Sequence, residues 1–405
     1  RDSVPPGGTE DGGAGVSDLD AAPPPLRLVG GEVLRDGALA MGEVYTDAGR
    51  VAGGGAGRTV DLTGWAVLPG IVDAHGDGFE RHVAARRGAL SDMDAGLVAL
   101  EAELAANGIT TAMLAQFYSW EGGMRGPDFA ERLAAAHGRV APGLATDLRL
   151  QLRLETHMTD AFPDALDLID RAGIGAVVFN DHLPHDRLAA GRTPPRLTGQ
   201  ALKSGRSPEA HLALMQALHA GRDAVPAALT ALAADLRTRG VAMGSHDDRT
   251  PETRAWFRDH GARIAEFPET RAAAAAARAA GDGIVLGAPN VVRGASHAGK
   301  VSARDLIAEG LCDALASDYH YPAPRHAALS LVRAGICDLP AAWRLVSEGP
   351  ARLLGLDDRG TLACGARADI VILDPATGRV GATLAGGRIT YLTTPLAERF
   401  IYARA

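Results

Sequence analysis

The middle of this chain alternates between short apolar runs and Ala-rich amphipathic stretches, and that alternation constrains its fold more than any other feature. Strand candidates fall at about residues 69–75, 110–116, 148–155, 175–181, 240–245, 262–267, 283–288 and 313–317, each followed by helix-forming sequence. A helix after every strand makes the strands parallel, and eight such units close into an α/β fold of the (β/α)8 TIM-barrel type. A doubly wound sheet is the competing arrangement, but no GxGxxG follows the first strand to support it. One helix is predicted over 92–107, with Ser91 as its N-cap and Gly108 just past its end.

The two ends have a different character. From Leu26 to Val67, runs such as LRLVGGEVL and TVDLTGWAVL are separated by Gly and Asp, and residues 368–392 repeat that pattern. The expected organisation is a barrel over 68–354 and a small β-sandwich domain built from 26–67 plus 355–405. Residues 1–25 are dominated by Gly, Pro, Asp and Ala and read as a disordered extension.

Composition removes several classes of function. With 41 basic against 49 acidic residues the net charge is −8, which argues against a nucleic-acid partner or an anionic membrane surface. Cys312, Cys337 and Cys364 lie far apart in no CxxC pattern, so neither a disulfide framework nor a zinc knuckle is indicated. No run of about 18 apolar residues and no signal-peptide pattern occurs, so a soluble cytoplasmic protein is expected. A homo-oligomer stays open.

In such a barrel the chemistry sits at the C-terminal ends of the strands. The first strand delivers His75 and Asp77, which lie two apart and so share a face. Later strand ends deliver Glu155 with His157, Asp181 with His182, His246 with Asp247 and Asp248, and Asp318 with His320. One histidine at a strand end is ordinary, but five ends carrying imidazole or carboxylate are hard to attribute to packing. They suit zinc, with manganese or iron as alternatives, as one or two ions. Many two-metal barrels bridge their ions through a carbamylated lysine. Here Lys203 and Lys300 both lie away from apolar strands, so a bridge would have to be a carboxylate, and Glu155 is best placed. A metal lowers the pKa of bound water towards about 7, and Asp318 could take that proton and pass it to a leaving group.

A second cluster is GAPNVVRGASHAGK, residues 287–300, where Asn290, Arg293, Ser296, His297 and Lys300 offer donors for an anion. Glu266 in AEFPET could equally be an exposed carboxylate, RAAAAAARAAG over 271–281 is scaffold helix, and His137, His211, His219 and His260 read as structural.

Taken together, LPGIVDAHGD and the late SD strand resemble the amidohydrolase superfamily. HGDGFERH, NDHLP, SHDD, EFPET, GAPNVVRGASHAGK and ASDY are similar to its phosphonate-metabolism branch of metal-dependent diphosphatases. That branch converts α-D-ribose 1-methylphosphonate 5-triphosphate to the 5-phosphate and pyrophosphate. The resemblance implies metal ligands at His75, Asp77, Glu155, His182, His246 and Asp318, with phosphate or ribose contacts around Asn290, Arg293 and His297. Arg81 and His82, just past the first strand, and Lys300 join the expected substrate side. The strand count puts His182 and His246 on the fourth and fifth strands, one earlier than the superfamily pattern. Gly78-Phe79 stands where the branch usually has Asn-Leu, and HDRLAAGR replaces the Gly-Gln expected after the DH-x-P motif. The expected substrate is a small phosphorylated molecule. A C–N amidohydrolase of the deacetylase or cyclic-amidase type is the alternative, and an inactive binding scaffold is a third reading.

Overall fold

The computed structural model describes residues 19, 21–83, 92–294 and 301–402. The N-terminal segment supplies β1 (Leu26–Arg35), β2 (Ala38–Asp47), β3 (Arg50–Ala52), β4 (Arg58–Asp61) and β5 (Ala66–Pro69). Asp36 and Gly37, both at positive φ, form the two-residue turn that joins β1 to β2, because such a turn matches the right-handed twist of its strands. The barrel strands follow as β6 (Ile71–Gly76), β7 (Ile109–Tyr118), β8 (Asp147–Glu155), β9 (Ala176–Asn180), β10 (Ala242–His246), β11 (Ile264–Glu266), β12 (Gly283–Gly287) and β13 (Ala314–Ala316). Then β14 (Ile370–Leu373), β15 (Val380–Ala385) and β16 (Arg388–Leu392) return to the first sheet.

Among the described residues these strands make two sheets. The eight expected barrel strands pair in parallel in chain order from β6 to β13, and a bridge between Gly76 and Asp318 brings the last strand back to the first. Strands β6 and β7 are buried along their whole length, as expected where helices cover one face and the barrel interior fills the other. The second sheet has the order β16-β15-β14-β5-β1-β2-β3, with β4 on β1. An irregularity between Leu28 and Gly31 lets β1 pair β4 with its first half and β5 with its second. Residues from both chain ends, among them Leu28, Val44, Val60, Ile370 and Leu384, fill the core of this sheet.

The helix predicted over 92–107 runs Met93–Ala106, and its cap differs from expectation. Asp92 accepts from the backbone N–H groups of Asp94 and Ala95, so it takes the role expected of Ser91, which lies outside the described residues. The segment joining β9 to β10 is the longest of the barrel. It carries the helices His185–Ala189, Leu197–Ser204, Pro208–Ala220 and Val225–Thr238. In the N-terminal stretch, the Leu19 and Ala21 carbonyls accept from Arg388.

Candidate active site

Alternation along β6 puts Asp73, His75 and Asp77 on one face. Asp73, at the bottom, is fully buried and accepts from the Ser317 N–H at 2.8 Å and the Ser317 hydroxyl at 2.5 Å. One layer up, the fully buried His75 places Nδ1 2.7 Å from a Glu266 oxygen, and the other Glu266 oxygen accepts from Gln151 at 2.9 Å. The His75 ring lies 5.3 Å from that of His246. Gly76 separates the two acidic layers because there is no room for more. A Cβ there would sit 2.7 Å from an Asp73 oxygen and 2.8 Å from the Tyr321 ring.

His75, His246 and Glu266 each offer a ligand atom within 4.8 Å of the others. His75 Nε2 is buried and has no hydrogen-bond partner among the described residues. Leaving such an atom unpaired costs about 1–3 kcal/mol. A histidine whose other nitrogen is held by a carboxylate is the arrangement that orients metal ligands. His246 Nδ1 lies 3.0 Å from Asp247, and Nε2 lies 3.1 Å from an Arg153 nitrogen. Burial and the neighbouring Arg153 charge push the His246 imidazolium down to about 4, so the ring is neutral, as metal ligation requires. These residues could hold one divalent ion.

The expected ligands do not all converge. Glu155 and His182 form a pair outside the His75 group, in which Glu155 faces His182 Nδ1 and accepts from the His182 N–H and the Trp120 indole, each at 3.2 Å. Burial opposes charge on His182, but Glu155 outweighs it and raises the imidazole above its usual range. The carboxylate beside His75 is thus Glu266, and that of Glu155 is turned to His182 and Trp120. Between the two groups stands Arg153, buried, stacked 3.8 Å over Phe117 and 3.5 Å from the Asp77 carboxylate.

Asp318 is gripped by its backbone. Its N–H donates to the His75 carbonyl at 3.0 Å, and its carbonyl accepts from Asp77 at 2.9 Å, so the side chain is left to the cavity. Burial, then the Asp77 charge, pushes its carboxyl up to about 6. Asp318 also has φ +55, and Asp247 and Phe267, each just past a barrel strand, have φ +60 and +54. Backbone held in this region costs on the order of 1–3 kcal/mol per residue and gathers at functional sites. Two cavities meet at His246 and Asp247. One, of about 510 Å³, includes Asp318, Asn290 and Arg293, and the other, of about 1020 Å³, includes His157, His182, Arg187 and Arg222.

Other expected residues fall elsewhere. Arg81 and His82 turn to Glu103 of the helix Met93–Ala106, with His82 Nε2 2.6 Å from its carboxylate. His297 and Lys300 lie outside the described residues. Phe79, at the sequence departure in the first motif, is fully buried in the barrel core. Glu266, weighed as an exposed carboxylate, is 2% exposed. Arg153 and Gln151 carried a usable signal, since they precede Glu155 by two and four residues and share its face. His137 and His260 do bond backbone carbonyls, of Leu148 and Trp256, whereas His219 reaches His185 across the mouth.

This barrel with histidines and carboxylates at its strand ends is the architecture of the amidohydrolase superfamily, and the chain is a hydrolytic enzyme of that type. The chain is 33% identical over 319 residues, 76% of its length, to the α-D-ribose 1-methylphosphonate 5-triphosphate diphosphatase of Escherichia coli K12, covering 83% of that protein, and it belongs to this family. No family model matches. The fold is shared with a β-aspartyl dipeptidase of Fervidobacterium islandicum, at 14% identity and TM-score 0.59 over 91% of this chain and 97% of that one. It is shared as well with the N-acetylglucosamine-6-phosphate deacetylase of Pasteurella multocida, at 10% identity and TM-score 0.60 over 90% and 99%.

Proposed function

We propose that the protein hydrolyses a phosphoric anhydride, with α-D-ribose 1-methylphosphonate 5-triphosphate as substrate and pyrophosphate and the 5-phosphate as products. The observation that carries this reading is the pairing of cationic donors with the metal-type centre. Arg293 and Asn290 open on one side of His246, and Arg187 and Arg222 on the other. Arginine suits phosphate oxygens because its planar fork donates two parallel hydrogen bonds.

His75 through its free Nε2 and His246 would hold a divalent ion, with Glu266 orienting the His75 ring from Nδ1; the donors suit zinc, with manganese and iron also compatible. When bound, such an ion supplies Lewis acidity to water and to a phosphoryl oxygen. The chain's own residues do the rest. Asp318, raised to about 6, takes a proton from the attacking water and delivers it to the leaving pyrophosphate. Arg153 places positive charge beside His246 and Asp77, where negative charge develops on the phosphoryl group. His182, held from behind by the fully buried Glu155, lines the larger cavity, where it can meet the substrate.

The fold neighbours act on C–N bonds by their names, so a second reading is an amide substrate handled by the same centre. The test is to supply the metal-loaded protein with ribose 1-methylphosphonate 5-triphosphate and, separately, a panel of cyclic and acylated amides. Release of pyrophosphate is expected. Turnover of an amide with no pyrophosphate release would overturn the proposal.

A further inference from the structure

Beyond the centre built on His75, the mouth of the barrel carries a second group of ligand-type side chains from the connections that follow two neighbouring strands. His157 follows β8, Asp181 follows β9, and His185 opens the first helix of the long β9–β10 segment. His185 Nε2 lies 3.0 Å from one Asp181 oxygen and 3.1 Å from the other, and His157 Nδ1 lies 3.5 Å from Asp181. The two imidazole rings are 4.7 Å apart, and one ligand atom from each of the three residues lies within 4.8 Å of the others.

These spacings suit a tetrahedral metal. Bonds of about 2.0–2.1 Å to nitrogen and oxygen put neighbouring ligand atoms roughly 3.3 Å apart. The contacts of Asp181 with His185 and His157, at 3.0 and 3.5 Å, lie close to that value. The back of the site is prepared as well. His185 Nδ1 is 2.8 Å from His219 Nδ1, so the second nitrogen of His185 is held by a partner that fixes its ring orientation and tautomer. All three ligands border the cavity of about 1020 Å³, which leaves a fourth position open to water or an anionic oxygen.

We propose that His157, Asp181 and His185 form a second divalent-metal site of the zinc class, oriented by His219 and separate from the His75–His246–Glu266 centre. Two imidazoles and one carboxylate suit zinc, cobalt or nickel better than magnesium or calcium, which prefer oxygen.

The test uses the full chain stripped of metal and titrated with Co(II), with bound metal counted after gel filtration. H185Q and H157Q are each expected to bind one equivalent fewer than the unsubstituted chain. The double variant should lose the same single equivalent, because both residues serve one ion. H219Q keeps the stoichiometry and weakens this equivalent roughly 10- to 100-fold, since only the support of a ligand is lost. Thermal unfolding of the metal-free variants checks that the fold is unchanged. Full stoichiometry in H185Q, or loss of two equivalents in the double variant, would overturn the site. Because the readout is metal count, neither result depends on whether a phosphoric anhydride is the substrate.

Discussion

Arg153 and Arg254 are both buried inside this barrel, and the fold uses them in opposite ways. Arg254, on the helix Pro251–Asp259, donates to the Ser245 hydroxyl at 2.6 Å, to Asp248 at 3.1 Å and to the carbonyls of Ala262 and Ile264 at 2.5 and 3.3 Å. Its Nε lies 3.5 Å from Asp282. Arg153 has an aromatic face under it, a carboxylate at 3.5 Å and an imidazole nitrogen at 3.1 Å. A guanidinium that spends its donors on backbone and carboxylates ties strands and helices together. One set against a ligand-type histidine keeps its charge for the site, and the stability that it could have contributed is forgone.

The sharpest break of this comparison is Arg254→Met. It takes the buried arginine from Asp248, which is left with the Ser245 hydroxyl, and from Asp282, which keeps Arg258 at 3.4 Å and Arg263 at 3.8 Å; both carboxylates are at most 2% exposed and raised first by burial. Removing one partner of a buried pair costs about 3–5 kcal/mol, and urea unfolding should show a loss of that size. Activity per folded molecule is expected to stay unchanged.

Arg153→Met should do the reverse. Hydrolysis is expected to fall about 100-fold in kcat/KM, or about 2.7 kcal/mol of transition-state stabilisation. Unfolding should shift by less than about 1 kcal/mol or move towards greater stability, as when a functional charge is removed. Equal stability losses in the two variants would erase the distinction between wall and site.

The same pair shows where sequence stops informing. The barrel was legible because eight apolar runs and their intervening helices are local patterns, and every strand appears where its run lies. His75 and His246 were legible because they end such runs. Arg153 was legible only through its spacing to Glu155, because a cation inside an apolar run otherwise reads equally as an outward residue, and barrel closure decides which face is interior. Glu266 had the same ambiguity, resolved by Gln151 and His75 from two other strands. His157 and Asp181 follow the neighbouring strands β8 and β9, and His185 lies four residues beyond Asp181, but the turn of these loops over the barrel mouth is not written in their spacing. His219, in the third helix of the β9–β10 segment, had no signal at all.

Metal addition separates the two regions further. An ion that binds only the folded state stabilises it by about 2.7 kcal/mol at a free concentration 100 times its dissociation constant. The metal-induced rise in unfolding free energy should therefore be larger in the unsubstituted chain than in His75→Asn by about that amount, because His75 contributes the unpaired buried nitrogen. Arg254→Met should keep the full rise from its lower starting point. A rise of equal size in His75→Asn would remove His75 from the ligand set.

The smallest effect lies where the barrel meets the second sheet. Asp147 begins β8 and holds Arg149 at 2.9 Å and Arg359, from the segment leading to β14, at 2.5 Å. Arg359 also donates to Thr111 at 2.9 Å, so a charged pair and a neutral bond fasten this corner. Burial alone would raise the Asp147 carboxyl, but the two arginines outweigh it and hold it below the usual range. A folded value below the unfolded one, about 3.9, means that the pair stabilises the fold fully above that pH. The contribution fades as pH falls through the lowered value, because the folded carboxylate must then take up its proton. Asp147→Asn should therefore lower stability at neutral pH and flatten the acid limb of the stability curve below about pH 4. An acid limb as steep as that of the unsubstituted chain would mean that this corner is held by the Thr111 bond and apolar packing, with no share from charge.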